Sequence, residues 1–276
     1  MNLGEFYDLA ELPLNTPGQA WGNLGYWHNC DDYSGACREM ALLLGARVGL
    51  TSSSVVLDAG FGCGDQLLLW LQQFRVQRLF GVNYSRSQTA YAGQRIRQAQ
   101  LASRADLRQG CVGRGDIWAA ASGQSVDRVV ALDCAYHFPS RAEFLKRSSE
   151  LLPAGGRMGL TDFVLGEGYT GAAALVARGM FRLSQIPGSN MVSQQTYHDD
   201  LAGAGFGAIE FEDISAHVMP AFRFWLQQFR SDNPALMPRR RWLKYEATAR
   251  FLDWAYEQQL LRYVVVTADK TGAVGL

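Results

Sequence analysis

Residues 52–71 read SSSVVLDAGFGCGDQLLLWL, and the fold follows from the three parts of that stretch. Val55, Val56 and Leu57 form a β-branched and apolar run suited to a buried strand. Gly60, Gly62 and Gly64 break the run with a turn that carries no Cβ. Leu67–Leu71 then brings apolar residues back at helical spacing. A strand, a glycine turn and a helix in that order let the backbone approach a ligand closely and turn free N–H groups toward it, at the sheet edge where α/β folds bind nucleotides.

The same alternation continues outward. RLFGVNYS (78–85) reads as a second strand, QTAYAGQRIRQAQL (88–101) as a helix and ADLRQG (105–110) as a short strand. DRVVALDCAYHF (127–138) is a strand running into a loop. RAEFLKRSSELL (141–152) is an amphipathic helix, stopped by Pro153 and the Gly155-Gly156 turn before the strand RMGLTDFVL (157–165). Strands alternating with helices predict a mostly parallel sheet covered on both faces. Further on come TYHDDLAGAGF, the strand AIEFEDIS and a final strand YVVVTADK. Residues 1–50 read as an N-terminal helical cap, with a helical pattern from Tyr33 to Leu44. Residues 51–276 read as the α/β domain, with helical insertions at about 166–200 and 219–258, all in one compact unit.

Composition removes several functional classes. The 276 residues are 48% hydrophobic and 19% charged, with 26 basic and 26 acidic side chains, which excludes a disordered or collagen-like chain. Zero net charge lacks the footprint of a nucleic-acid binder, and Arg239-Arg240-Arg241 is too short a run to supply one. The opening MNLGEFYDLAELPLN has neither a basic nor an apolar leader segment, and no stretch approaches the ~20 apolar residues of a membrane span. The chain reads as cytoplasmic, without integral membrane association. Its five scattered cysteines, Cys30, Cys37, Cys63, Cys111 and Cys134, have no CxxC spacing and indicate neither a disulfide frame nor a metal site.

The glycine loop itself discriminates between ligands. A dinucleotide loop, G-x-G-x-x-G, requires a third glycine at position 65, where this chain has Asp65, and an acid at the end of the second strand, where it has Asn83. The spacing D-x-G-x-G-x-G in VLDAGFGCG resembles instead the nucleoside loop of class I S-adenosylmethionine-dependent methyltransferases. GVNYSRSQ (81–88) and LLPAGGRMGLTDF (151–163) resemble that family's second and post-core segments. The VNYSRSQ form is similar to the branch holding small-molecule, tocopherol and sterol methyltransferases and cyclopropane fatty-acid synthases.

The resemblance implies a Rossmann-like sheet with helices on both faces, S-adenosylmethionine as donor and S-adenosylhomocysteine as product. It places Asp58 and the backbone of Gly60, Gly62 and Gly64 at the amino-acid end and ribose of the donor. It also places Asn83 and Gln88 at the ribose, Tyr84 among the cofactor-binding residues, and the backbone of Cys111 and Val112 at the adenine, with Asp116 as an alternative adenine contact. NLGYW (23–27) resembles the branch's closing cap, in which Tyr26 donates to the carboxylate and Trp27 shields the sulfonium.

The reacting centre falls on Ala131–Phe138, at the carboxyl edge of the sheet. His137 is the candidate base, because histidine accepts a proton near neutral pH. Asp133 either meets the donor's ammonium group or orients the base, and Tyr136 offers a hydrogen bond to a substrate oxygen. Cyclopropane synthases carry Glu-His-Phe where this chain has Tyr136-His137-Phe138, so cyclopropanation is disfavoured. Met219, Phe222, Trp225, Leu226 and Phe229 fall on one helical stripe; such stripes usually pack into the core, but in this fold inserted helices roof the acceptor pocket. Arg223 and Arg239–Arg241 read as a solvated basic face or as partners of an anionic group.

The expectation is methyl transfer to a small, hydrophobic natural product, to oxygen ahead of carbon or nitrogen. Carbon methylation of an isoprenoid or lipid, a catalytically silent donor-binding protein and a nicotinamide oxidoreductase are the competing readings. A homodimer is compatible with the sequence.

Overall fold

The computed structural model describes residues 13–113, 118, 121, 123 and 125–272; Asp116 lies outside them. Seven strands form one sheet in the order β3-β2-β1-β4-β5-β7-β6. They are β1 Val55–Ala59, β2 Arg78–Asn83, β3 Ala105–Gln109, β4 Arg128–Leu132, β5 Arg157–Leu165, β6 Phe206–Asp213 and β7 Leu261–Lys270. The pairs from β3 across to β5 are parallel, and β7 runs antiparallel to both β5 and β6. The strand order reverses between β1 and β4, both followed by site loops, which is where open α/β sheets form a crevice.

Eight described helices cover the sheet: α1 Tyr33–Val48, α2 Asp65–Gln72, α3 Arg86–Gln98, α4 Arg141–Leu151, α5 Gly171–Leu183, α6 Gln194–Gly203, α7 Met219–Asp232 and α8 Arg239–Glu257. Their starts follow local chemistry: Asp32, Ser85, Ser140 and Ser193 each accept a backbone N–H from the first turn. The N-terminal helix is less separate than its sequence suggests. A Cβ on Gly159 of β5 would lie 2.0 Å from a Val48 methyl, so α1 rests directly on the sheet and belongs to its covering layer. On the other face, Leu57, Val129 and Val264 pack with Phe144, Leu145, Tyr197 and Leu201 of α4 and α6.

Beneath that second layer a buried ion pair supports the site. Arg141 Nη1 donates to Asp162 Oδ2 at 3.0 Å, both side chains being at most 2% exposed. Tyr197 Oη donates to the same oxygen at 3.0 Å, and the guanidinium lies 3.7 Å from the Tyr197 ring centroid. Arg141 is tied onward to Asn190, whose side-chain oxygen accepts the Arg141 backbone N–H and whose amide donates to the carbonyls of Tyr136 and Phe138. Removing one partner of such a pair strands a buried charge. Asp162→Ala is expected to lose about 3–5 kcal/mol, read as a fall in Tm of about 10 °C; an unchanged melting curve would contradict this account of the pair.

Candidate active site

The site grows from the loop after β1. Gly60, Gly62 and Gly64 all take positive φ, and Gly60 N–H donates to Val82 O at 2.7 Å, closing the turn over β2. At Gly60 the constraint is spatial as well as conformational: φ is +86°, and a Cβ there would lie 2.5 Å from Cys134 Sγ. The loop therefore settles on the β4 loop with only backbone between them.

Loop and strand ends line a cavity of about 260 Å³. Gly60, Gly62, Gly64, Asn83, Tyr84, Gln88, Cys111, Val112, Asp133, Tyr136 and His137 all border it, so most residues picked from the sequence meet in one place. Asn83 Nδ2 donates to Gln88 Oε1 at 3.0 Å and toward Gly62 O at 3.4 Å. Those bonds use the amide nitrogen and leave the amide oxygen as a hydrogen-bond acceptor at the cavity. The Val112 carbonyl is engaged by Trp118 Nε1 at 2.8 Å, which holds the turn after β3 in shape.

Three assignments change. Asp58 does not border the cavity: its fully buried carboxylate accepts two bonds from Gln66 Nε2 and one from Trp70 Nε1 at 2.6 Å. Burial pushes its pKa up to about 6 against those donors. Gln66 and Trp70 stand one turn apart on α2, so Asp58 braces the glycine loop from below. Tyr26 and Trp27 also miss the cavity. Tyr26 N–H donates to Ala36 O and Trp27 N–H to His217 O, and those bonds carry the chain away from the site. Trp27 then packs 4.9 Å from Trp225 and near Tyr33 and Phe222, while Tyr26 meets His217 edge-on. The cavity wall in this region is Ala20, Trp21, Gly22 and Asn23 instead.

The aromatic stripe of α7 follows suit. Phe222, Trp225 and Phe229 bury themselves against Trp27, Tyr33 and Trp242, and none of them lines the cavity. Arg223 pairs with Asp253 of α8 at 2.8 Å. The stripe is core, and the helix pair α7–α8 serves as the anchor for the N-terminal segment.

At the reacting end, Asp133 takes φ +54° and its carboxylate is surrounded by donors. Oδ1 accepts from Tyr136 Oη at 2.9 Å and from Tyr263 Oη, and Oδ2 accepts Leu24 N–H at 2.7 Å. Burial nonetheless raises its pKa to about 7, with those hydrogen bonds opposing. Tyr136 thus donates its hydroxyl proton to Asp133 rather than to a substrate oxygen. His137 is half-buried: desolvation lowers its pKa to about 4, opposed by a hydrogen bond with the Gln185 backbone. The imidazole is therefore uncharged at neutral pH, with a ring nitrogen able to accept a proton.

Gln185, at φ +56° after α5, also borders the cavity. Its Oε1 is buried and accepts no hydrogen bond among the described residues. Gln185, Trp21 and Tyr263 were not legible as site residues, because no motif contains them, and Asn23 opens the NLGYW segment, in which only Tyr26 and Trp27 were singled out.

The residues present fit the sulfonium nucleoside: a turn at Gly60 that closes tightly on Cys134, an amide acceptor at Asn83 and an uncharged imidazole at His137, all bordering one cavity. Fold and site together define a class I S-adenosylmethionine-dependent methyltransferase. Residues 27–251 match the family model of mycolic acid cyclopropane synthetase, and the chain belongs to that family. It is 31% identical over 269 residues to erythromycin 3''-O-methyltransferase of Saccharopolyspora erythraea, covering 94% of this chain and 86% of that protein. It is 27% identical to 27-O-demethylrifamycin SV methyltransferase of Amycolatopsis mediterranei, over 97% and 96% of the two chains. The cyclopropane synthase MmaA2 of Mycobacterium tuberculosis superposes with a TM-score of 0.73 at 17% identity, over 90% of each chain. Among the described residues no helix is long and apolar enough to cross a membrane.

Proposed function

We propose that this methyltransferase places a methyl group on a hydroxyl oxygen of a small natural product, with His137 taking the hydroxyl proton. The observation that carries the reading is the half-buried imidazole of His137, which borders the cavity beside Tyr136 and Gln185. When bound, the donor supplies an electrophilic methyl group on a sulfonium. An alcohol is a weak nucleophile until its proton is shared, and a neutral imidazole in hydrogen-bond reach performs that sharing. Alignment of the two reactants in the cavity supplies much of the remaining rate.

Both O-methylating relatives named above support oxygen as the acceptor atom. Tyr136, where the cyclopropane synthases carry a carboxylate, argues against ring formation, since its hydroxyl is already bonded to Asp133. Cysteines that are all free thiols support a reducing, cytoplasmic setting.

The test is a set of hydroxylated acceptors that includes 3''-O-demethylated erythromycin and 27-O-demethylrifamycin SV, incubated with the purified chain and S-adenosylmethionine. The expected result is one equivalent of S-adenosylhomocysteine per methyl ether formed. Methylation at carbon would replace the oxygen reading. Donor binding with no transfer to any acceptor would instead favour a silent donor-binding protein.

A further inference from the structure

The segment from Asn15 to Leu24 forms a strap with its base on one helix and its tip on two others. At the base, Thr16 N–H donates to Ser34 Oγ, Asn23 Nδ2 donates to Cys37 O and Tyr33 Oη donates to Asn23 O at 2.7 Å. All three partners lie on α1. Within the strap, Asn15 and Trp21 exchange two hydrogen bonds at 2.8 and 3.0 Å, so the strap is a closed loop and not a loose tail. Its tip reaches across to α2 and α3: Ala20 N–H donates to Asp65 Oδ2 at 3.1 Å, and Arg95 Nη2 donates to Gly18 O at 3.2 Å.

Asp65 and Arg95 are themselves joined bidentately, through Nη2 to Oδ1 at 2.8 Å and through Nη1 to Oδ2. Their side chains are 6% and 14% exposed. The pair is planar and charge-assisted, the stronger kind of ion pair. Arg95 Nη1 also reaches the Cys63 carbonyl of the glycine loop at 3.4 Å. One side chain therefore touches the strap, α2 and the loop that the donor must occupy.

We propose that Asp65 and Arg95 are positioning residues for the donor: they latch the strap tip so that Ala20–Asn23 close one wall of the cavity, and release of that latch sets how fast the nucleoside leaves. The inference rests on the cavity holding a sulfonium nucleoside, as in the reading above. The asymmetry of the anchors gives the direction of opening. The base is tied to α1 and, through Leu24 and Trp27, to Asp133 and the aromatic cluster of α7. The tip is held by one backbone donor and one backbone acceptor on a single ion pair, so it swings away from α2 and α3 about a fixed base.

The sequence position has a second consequence. Asp65 stands where a dinucleotide loop would place its third glycine, and here the carboxylate at that position is spent on the strap and on Arg95. The departure from the dinucleotide pattern is thus part of the closing device.

The experiment uses the full chain, with Arg95→Gln and Asp65→Asn as separate variants and Arg95→Lys as the conservative one. Stopped-flow tryptophan fluorescence gives association and dissociation rates for S-adenosylhomocysteine, and hydrogen exchange gives protection of the amides of residues 18–23 with and without it. The expected result is a dissociation rate raised about tenfold in Arg95→Gln and Asp65→Asn, partly restored in Arg95→Lys. The Ala20 amide exchanges faster while the amides of α2 and α3 keep their protection, which separates loss of the latch from loss of the fold. Unchanged dissociation rates and unchanged exchange at Ala20 in both variants would overturn the proposal. If the wild-type chain fails to bind S-adenosylhomocysteine, the donor reading falls; exchange at Ala20 in the ligand-free variants still decides whether the latch holds the strap.

Discussion

Replacing His137 with alanine is expected to lower kcat for methyl transfer by about 10²–10⁴-fold while leaving donor affinity unchanged. The two effects separate under the proposed assignment, in which His137 serves the acceptor and the glycine loop, Asn83 and Gln88, which border the same cavity, serve the donor. Burial moves the imidazole from its usual range down to about 4, so it is neutral from about pH 5 upward and needs no deprotonation at physiological pH. The acid limb of kcat/KM for the wild type is therefore expected well below pH 6.5. The same depression has a stability consequence. The unfolded chain binds this proton more tightly than the folded one, so the His137 contribution is present above pH 6.5 and is lost as pH falls toward 4. His137→Ala removes that part of the pH dependence. A variant that keeps its rate would leave alignment alone as the source of catalysis and remove the base from the mechanism.

The second large effect belongs to Gly60. Alanine there meets both constraints at once, a φ of +86° and a Cβ 2.5 Å from Cys134 Sγ. Left-handed backbone at a residue with a Cβ costs about 1–2 kcal/mol, and the clash must be relieved by moving either the donor loop or the β4 loop that carries Asp133 and His137. Either movement spoils the cavity, so donor affinity is expected to fall about 100-fold, equivalent to about 2.7 kcal/mol. Gly188→Ala is the control, since nothing lies within 4 Å of a Cβ at that position and its φ is ordinary. Equal donor affinity in the Gly60 and Gly188 variants would mean that close approach at Gly60 is irrelevant to binding.

What the sequence conveyed and what it did not divide along physical lines. The strands from β1 to β5 and the helices between them were legible because periodicity, caps and glycine turns are local signals. So was the meeting of Gly60, Asn83, Gln88, Cys111, Asp133 and His137, since each stands at the carboxyl end of a parallel strand or in the loop or helix start that follows it, and the sheet gathers those ends. Asp58 was misplaced because the acid of the motif looks the same whether it faces a ligand or a helix. Only the packing of Gln66 and Trp70 over β1 turns it inward.

Tyr26 and Trp27 failed for a related reason. Aromatic side chains pack against whatever surface is nearest, and here that is Trp225 of α7 for Trp27 and His217, just before α7, for Tyr26, both about 200 residues downstream in the chain. Ala20–Asn23, a few residues earlier, border the cavity in their place. Tyr263, Gln185 and the Leu24–Asp133 bond join segments that are distant in sequence, and no spacing rule reaches across them. Asp133 illustrates the limit well: its loop position was evident, but its three donors come from the N-terminal segment, its own loop and the antiparallel strand β7.

Calorimetric titration of the purified chain decides whether the cavity between the glycine loop and the strap holds a sulfonium nucleoside. S-adenosylmethionine and S-adenosylhomocysteine are expected to bind with one site per chain, while NAD gives no heat of binding under the same conditions. Binding of NAD with neither sulfur nucleoside giving heat would contradict the account, because the Asp65 and Asn83 departures from the dinucleotide pattern would then have no bearing on the ligand.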